Sequence, residues 1–160
     1  MKPLKLCSQN FSQVTCVKCT FINLTRTDKL KDTCVFLNFI NQISLVENQP
    51  IQKLYDKTGL SPKILPMMLE HYNVPYVTFH EIQPVKYGWV VFEAKLHSKS
   101  FHHVVAIYDG FVIDSYNLPN NFGGVYKWDG KIFGYQYATL VELVKITDAT
   151  NLFKIKDFIF

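Results

Sequence analysis

Residues 102–114 read HHVVAIYDGFVID, in which two apolar runs of strand length flank the dipeptide Asp109-Gly110. Asp-Gly is a strong signal for a two-residue type I′ turn between antiparallel strands. Because a turn of this length fixes the register of both strands, Tyr108 is predicted to pair with Phe111. The hairpin therefore determines which face each of its polar side chains occupies.

The predicted register places the two histidines of this hairpin on opposite faces. His103 and Asp114 become diagonal neighbours on one face, within side-chain reach. His102 points to the other face, opposite Asn117. In either pair, the acid or amide can hold an imidazole in the orientation that a general base needs. The sequence thus offers two candidate bases, of which we favour His103 with Asp114.

The hairpin lies in a half of the chain that is rich in β-forming residues. After Asn73, six segments of strand character are separated by turn-forming residues: 74–82, 88–95, 101–108, 111–116, 124–128 and 132–140. Residues 141–146 and 152–160 are predicted to form closing strands. This succession favours an antiparallel sheet.

A longer helix is predicted before this β-rich half. From Cys34 to about Glu47, apolar residues recur at helical spacing. Asp32 or Thr33 is suited to cap this helix, because short polar side chains accept hydrogen bonds from the first backbone amides.

Shorter elements flank this helix. Helices are predicted at 50–57 and after Ser61-Pro62, whereas residues 3–24 are predicted to be extended, as two short strands. The expected fold class is α+β in a single domain over residues 1–160. It has a helical half up to about residue 73, an antiparallel β half after it, and a cleft at their junction.

Composition narrows the class of protein. The chain of 160 residues is 48% hydrophobic and 19% charged, which suits one globular domain with a sizeable core. Its net charge of +4 comes from scattered lysines, which argues against nucleic-acid binding. The longest apolar stretches have strand length and no signal-peptide core is present, so no membrane-spanning segment is expected. The four cysteines are expected to be thiols in a reducing compartment.

Cys34 is the candidate nucleophile. It begins the predicted helix, where the helix dipole and unpaired amides favour a thiolate. Its position before His103 and Asp114 in the chain suggests a cysteine hydrolase, with Cys34 as nucleophile, His103 as base and Asp114 as orienter. A cysteine on an apolar helix face is more often a small buried hydrophobe, so the prediction depends on the three residues together.

The other cysteines suggest a competing hypothesis. Cys16 and Cys19 have the two-residue gap of a zinc knuckle, and Cys7 with Cys34 or a histidine can complete four ligands. Cys16 and Cys19 can also be ordinary residues of an apolar strand, in which alternation places their side chains on opposite faces and no metal is needed. If Cys34 were a zinc ligand, it would not be the nucleophile.

Two segments resemble those of a known family. Residues 32–38, DTCVFLN, are similar to the nucleophile segment of viral papain-like cysteine proteases, in which a cysteine opens the central helix and is followed by an aromatic residue and a leucine. Residues 111–114, FVID, are similar to the Ile-Asp segment that closes the triad of that family. The resemblance is to the nidovirus proteases of torovirus type and to the leader protease of foot-and-mouth disease virus.

This resemblance implies a papain-like fold, in which an N-terminal helical subdomain packs against a C-terminal antiparallel β-sheet with the active-site cleft between them. It implies the same triad of Cys34, His103 and Asp114. Lys29 stands where relatives carry an Asn or Trp that donates to the oxyanion, so the Cys34 backbone amide is the one donor that the resemblance supplies.

The resemblance also implies an activity and its partners. The expected protein is a protease and deubiquitinase that cleaves viral polyprotein sites and removes ubiquitin or ubiquitin-like modifiers. It is expected to act without a cofactor, as a monomer in the host-cell cytoplasm within a viral polyprotein, with no nucleic-acid partner and no membrane insertion.

Three alternatives stay open beside this one. The first is a non-enzymatic interaction module that binds zinc. The second is another Cys-His hydrolase or an acyltransferase, which uses the same order of residues. The third is an inactive descendant that binds ubiquitin without reacting with it.

Overall fold

The computed structural model describes residues 1–9, 15–56 and 59–159. Its α-helices are α1 (Cys16–Thr25), α2 (Thr33–Val46) and α3 (Ile64–His71). Its strands are β1 (Tyr55–Asp56), β2 (Gly59–Leu60), β3 (Tyr76–Phe79), β4 (Gly88–Leu96), β5 (Lys99–Tyr108), β6 (Phe111–Ile113), β7 (Val125–Lys127) and β8 (Tyr137–Ile146). Short 3₁₀ turns lie at Asp28–Leu30, Ile51–Leu54, Phe122–Gly124 and Leu152–Phe158. No helix in these described ranges is long and apolar enough to cross a bilayer.

Six strands form one antiparallel sheet in the order β3-β8-β4-β5-β6-β7. Helix α1 packs across β5, whereas α2 packs against α3. The α+β class is therefore confirmed, with helices concentrated before residue 72 and the sheet after residue 75. Strand β6 pairs with only the last three residues of β5, from Ala106 to Tyr108.

The predicted cap of α2 is confirmed. Asp32 Oδ1 accepts hydrogen bonds from the backbone amides of Cys34 and Val35, at 2.9 and 3.1 Å. The helix ends at Val46, close to the predicted end at Glu47. Asp32 therefore satisfies two amides that the helix itself leaves without acceptors.

Asp32→Ala is expected to lower the free energy of unfolding by about 1 kcal/mol, because α2 loses this cap. Asp32→Asn keeps a side-chain oxygen at the same place and is the matched control, expected to lose only a few tenths of a kcal/mol. Urea unfolding followed by circular dichroism measures both variants. Equal losses in the two would contradict a capping role.

The prediction that residues 3–24 are extended is wrong for 16–24, which belong to α1; residues 10–14 lie outside the described part of the chain. The physical reason is burial on every side of the helix. Residues 17–25 are all buried, including the polar side chains of Thr20 and Asn23. An all-round buried helix has no amphipathic period, and β-branched residues such as Val17 and Ile22 suggest a strand by propensity alone.

Three further predicted elements differ in the structure. Residues 137–146 form one strand, β8, where the sequence divides them between two strands at 132–140 and 141–146. Leu152–Phe158 is a 3₁₀ turn where a strand is predicted. The predicted helix at 50–57 is a 3₁₀ turn followed by β1, with Lys57 outside the described residues. Short apolar runs of this kind do not distinguish a strand from a turn by sequence.

Apolar side chains cover both faces of the sheet. One cluster lies between the helices and the sheet and includes Phe21, Phe36 and Val104. The other lies on the opposite face and includes Phe92 and Val105. Because side chains alternate along a strand, the residue two before Val105, His103, shares the second face.

Candidate active site

The predicted hairpin is confirmed. Tyr108 pairs with Phe111, and the two turn residues Asp109 and Gly110 have φ values of 51° and 79°, both positive as a type I′ turn requires. Backbone pairing between β5 and β6 covers three residues of each strand and ends at the pair Ala106–Ile113. Polar side chains of the two segments can therefore lie beside each other before Ala106 and after Ile113.

His103 and Asp114 form a buried ion pair at this point. His103 Nε2 lies 2.9 Å from Asp114 Oδ1, and both side chains are almost completely excluded from solvent. The predicted shared face is therefore confirmed as a direct contact. The structure does not form the alternative pair, because the exposed His102 lies 3.9 Å from Glu93 and Asn117 accepts from Lys5.

Three donors hold both oxygens of the Asp114 carboxylate. Besides the His103 ring, the Tyr116 backbone amide donates to Oδ1 at 3.0 Å and the Tyr135 hydroxyl donates to Oδ2 at 2.7 Å. A buried carboxylate needs such partners to offset its lost hydration. The carboxylate is thereby fixed in one orientation toward the imidazole.

Aromatic rings enclose the imidazole. The Tyr116 ring stacks on His103 with centroids 4.5 Å apart and planes 12° apart. Phe92 meets the same imidazole edge-on at 5.5 Å, and Tyr135 lies at 6.0 Å. These contacts exclude water from the ring and leave it little rotational freedom.

Cys16, the first residue of α1, brings its side chain against the His103 ring. Asp114 occupies Nε2, so Nδ1 is the ring nitrogen left to meet the thiol. Burial by itself lowers the pKa of His103, but the Asp114 carboxylate and the Cys16 side chain outweigh it and raise the pKa to about 9. At neutral pH the imidazole is therefore a cation that lies between the Asp114 carboxylate and the Cys16 side chain.

A buried hydrogen bond explains why α1 lies where it does. The Thr20 hydroxyl donates to the backbone carbonyl of Val104, at 3.1 Å. Thr20 follows Cys16 by four residues and so shares its helix face, while Val104 is the neighbour of His103. This one anchor aligns the start of α1 with the imidazole.

The structure does not bring Cys34 to either histidine. In the described part of the chain, the side chains that act electrostatically on His103 are Asp114 and Cys16. Cys34 is exposed, on a helix that packs against α3 and not across β5. We therefore correct the predicted contact: the thiol at the imidazole belongs to Cys16, and the physical reason is that the segment predicted as strand is a helix whose N-terminus faces His103.

Sequence reasoning also missed Gln9. Its side chain is buried, its backbone amide donates to the carbonyl of Ser115 at 2.9 Å, and its Oε1 accepts from the Thr15 amide and hydroxyl at 3.0 and 2.7 Å. Thr15 directly precedes Cys16, so the Gln9 amide is tied to the start of α1. No spacing rule in the sequence singles out Gln9, because its approach to the start of α1 depends on the fold.

The Gln9 side-chain nitrogen is unusual. Although the Tyr116 hydroxyl is close enough for the Gln9 amide to affect its pKa, Nε2 makes no hydrogen bond of acceptable geometry among the described residues. A buried donor without an acceptor is costly and is rare in folded proteins. Such a donor, on a side chain tied to the residue before Cys16, is suited to an oxygen that arrives with a substrate. Lys29, the predicted counterpart, is an exposed residue of the Asp28–Leu30 turn.

The cysteines do not assemble a metal site. Cys7 and Cys19 contact each other, Cys16 contacts His103, and Cys34 is exposed. Within residues 1–9, 15–56 and 59–159, no three His, Cys, Asp or Glu side chains are grouped so that they could hold a metal ion. The zinc hypothesis therefore has no donor set in this part of the chain.

Comparison with known proteins gives no assignment: no protein-family model, curated protein or solved structure matches the chain.

Proposed function

We propose that the protein is a cysteine hydrolase of papain-like type, in which Cys16 is the nucleophile, His103 the base and then the acid, and Asp114 the orienter. The proposal keeps the histidine and the acid predicted from the sequence and replaces Cys34 by Cys16. We also propose that substrate binds in the cleft between the helical and sheet halves.

The observation that carries the proposal is the contiguous arrangement of thiol, imidazole and carboxylate. A buried His103 bridges Asp114 on one side and the first residue of a helix, Cys16, on the other. A helix N-terminus and an adjacent imidazolium both favour a thiolate, the reactive form of cysteine. Ionisable groups with strongly shifted pKa values are concentrated at functional sites, and His103 combines such a shift with a buried acid and a thiol.

The chemistry follows from this arrangement. The Cys16 thiolate attacks a carbonyl carbon, and the negative oxygen of the tetrahedral intermediate accepts from Gln9 Nε2 and from the Cys16 backbone amide in the first turn of α1. The bond to nitrogen breaks as His103 gives its proton to the departing amine. His103 then takes a proton from water, which attacks the thioester and releases the acid and the thiolate.

Peptide and isopeptide bonds are the proposed substrates. A thiolate paired with an imidazolium can cleave amides because the same imidazolium protonates the amine leaving group. The narrower proposal comes from the family resemblance of the FVID segment: processing of viral polyprotein sites and removal of ubiquitin or ubiquitin-like modifiers in the host cytoplasm.

An electrophilic probe made from ubiquitin with a reactive group at its C-terminus tests the function. We expect one covalent adduct, which tandem mass spectrometry of the peptide 6–18 places on Cys16 and not on Cys7. An adduct on Cys34 would overturn the assignment of the nucleophile. If the ubiquitin probe does not react but a peptide-based electrophile labels Cys16, the protein is a Cys-His hydrolase or acyltransferase with another substrate.

Gln9→Ala is expected to lower kcat by about 10²–10³-fold, because the oxyanion loses a preorganised donor. The rate at which iodoacetamide alkylates Cys16 should stay within about two-fold, since that reaction forms no oxyanion. Gln49→Ala, on the exposed segment after α2, is the control and should leave both rates unchanged. A parallel loss of alkylation and turnover in Gln9→Ala would mean that Gln9 only supports the fold.

A further inference from the structure

Tyr135 lies outside the proposed triad but contacts it directly. Its hydroxyl donates to Asp114 Oδ2 at 2.7 Å, on the side of the carboxylate away from His103, which is bound to Oδ1. The residue belongs to the loop between β7 and β8, more than twenty positions after the histidine and the acid. The contact is therefore made by the fold of the loop and not by closeness in the sequence.

Backbone hydrogen bonds on both sides of Tyr135 hold the loop, and with it the Tyr135 hydroxyl, in place. Before Tyr135, the Phe133 backbone amide donates to the Tyr126 hydroxyl at 3.0 Å. After it, the Gln136 amide donates to the carbonyl of Lys95 at 2.8 Å. Between these anchors, Gly134 has a φ of 101°, a conformation that favours glycine and turns the chain toward the sheet.

The Tyr135 ring is held as firmly as its hydroxyl. It packs edge-on against Phe92 at 5.2 Å and lies 6.2 Å from Phe101. Burial and the Asp114 carboxylate raise the pKa of Tyr135 far above its usual range, so the hydroxyl keeps its proton and remains a donor at any physiological pH.

We propose that Tyr135 is a positioning residue whose hydroxyl, bound to Asp114 Oδ2, holds the carboxylate so that Oδ1 is aimed at His103. Without the hydroxyl, Asp114 Oδ2 loses the one donor that the described residues give it. A buried carboxylate with fewer donors is less stable in its charged form, and its hold on the imidazolium weakens. Tyr135 therefore acts on Cys16 indirectly, through Asp114 and His103.

Tyr135→Phe tests this proposal, because it keeps the ring packing and removes only the hydroxyl. The measurement is the titration of His103 by NMR of its ring nitrogens, in the whole chain and without substrate. We expect the midpoint to fall from about 9 in the wild type by about one pH unit or more in Tyr135→Phe. The alkaline limb of the kcat/KM profile should move to lower pH by a similar amount, because a neutral His103 cannot protonate the leaving amine.

Tyr76→Phe is the matched control. Tyr76 also donates its hydroxyl to a carboxylate, that of Glu70 at 2.8 Å, but it lies on β3, at the opposite edge of the sheet from β6 and β7. We expect its His103 midpoint to equal that of the wild type. Equal midpoints in Tyr135→Phe and the wild type would overturn the proposal, and so would the same shift in both variants.

This inference rests on the proposed function for its kinetic part only, and the two can fail separately. If the wild type neither reacts with the electrophilic probes nor hydrolyses peptides, the proposed function fails. The His103 midpoint still reports whether Tyr135 sets the charge of the pair.

Discussion

Replacing Cys16 by alanine is expected to lower kcat/KM by at least about 10³-fold for peptide or ubiquitin substrates, whereas Cys34→Ala stays within about two-fold of the wild type. The reason is positional. Cys16 meets the His103 ring at the start of a helix, and Cys34 is exposed on another helix whose first amides are already capped by Asp32. Steady-state hydrolysis of a fluorogenic peptide and of ubiquitin conjugates measures both variants.

The two cysteine variants control for each other. Each removes one sulfur from the beginning of a helix, and Cys16 is only partly buried, so neither change leaves a large void. Circular dichroism and urea unfolding should show a change below about 1 kcal/mol in both. Full activity in Cys16→Ala, or a large loss confined to Cys34→Ala, would contradict the assignment.

The part of the site that the sequence predicted correctly is local. Asp109 and Gly110 determine the hairpin register over a few residues, and from that register His103 and Asp114 follow as neighbours. The Asp32 cap is equally local, since a capping side chain binds amides two and three positions ahead. Such contacts depend on short-range geometry and are readable in one sequence.

The thiol beside His103 could not be found in this way, because its position depends on tertiary contacts. Helix α1 shows no amphipathic period, and its location is set by buried polar bonds to distant segments: Thr20 to Val104, and Asn23 to both backbone groups of Cys7. Cys34 has the clearer local signal, a cap followed by a periodic helix. A clear local helix signal at a cysteine therefore does not predict that this cysteine lies near the imidazole.

Two supporting residues were missed for the same reason. Gln9 and Tyr135 come from opposite ends of the chain and meet the site only through the fold. Neither residue type is uncommon in core or turn positions, so no spacing rule singles them out. An unpartnered buried amide and a hydroxyl on a buried carboxylate are signals that exist in coordinates alone.

Asp114→Ala is expected to lower the free energy of unfolding by about 3–5 kcal/mol at pH 7, the range for removing one partner of a buried ion pair. The change takes the acceptor away from the His103 cation, from the Tyr135 hydroxyl and from the Tyr116 amide. Asp129→Ala removes an exposed acid and should change stability by less than about 0.5 kcal/mol. Urea unfolding followed by tyrosine and tryptophan fluorescence compares the two variants with the wild type.

The effect of Asp114→Ala should also depend on pH, with a sign that the raised pKa of His103 determines. A histidine whose pKa is about 9 in the folded protein and about 6.5 when unfolded stabilises the fold fully below about pH 6.5, and this contribution is lost as the pH rises through 9. The stability difference between the wild type and Asp114→Ala should therefore be largest near pH 6 and shrink toward pH 10, while Asp129→Ala shows no such trend. A difference that stays constant from pH 6 to pH 10 would show that Asp114 does not hold a charged imidazole.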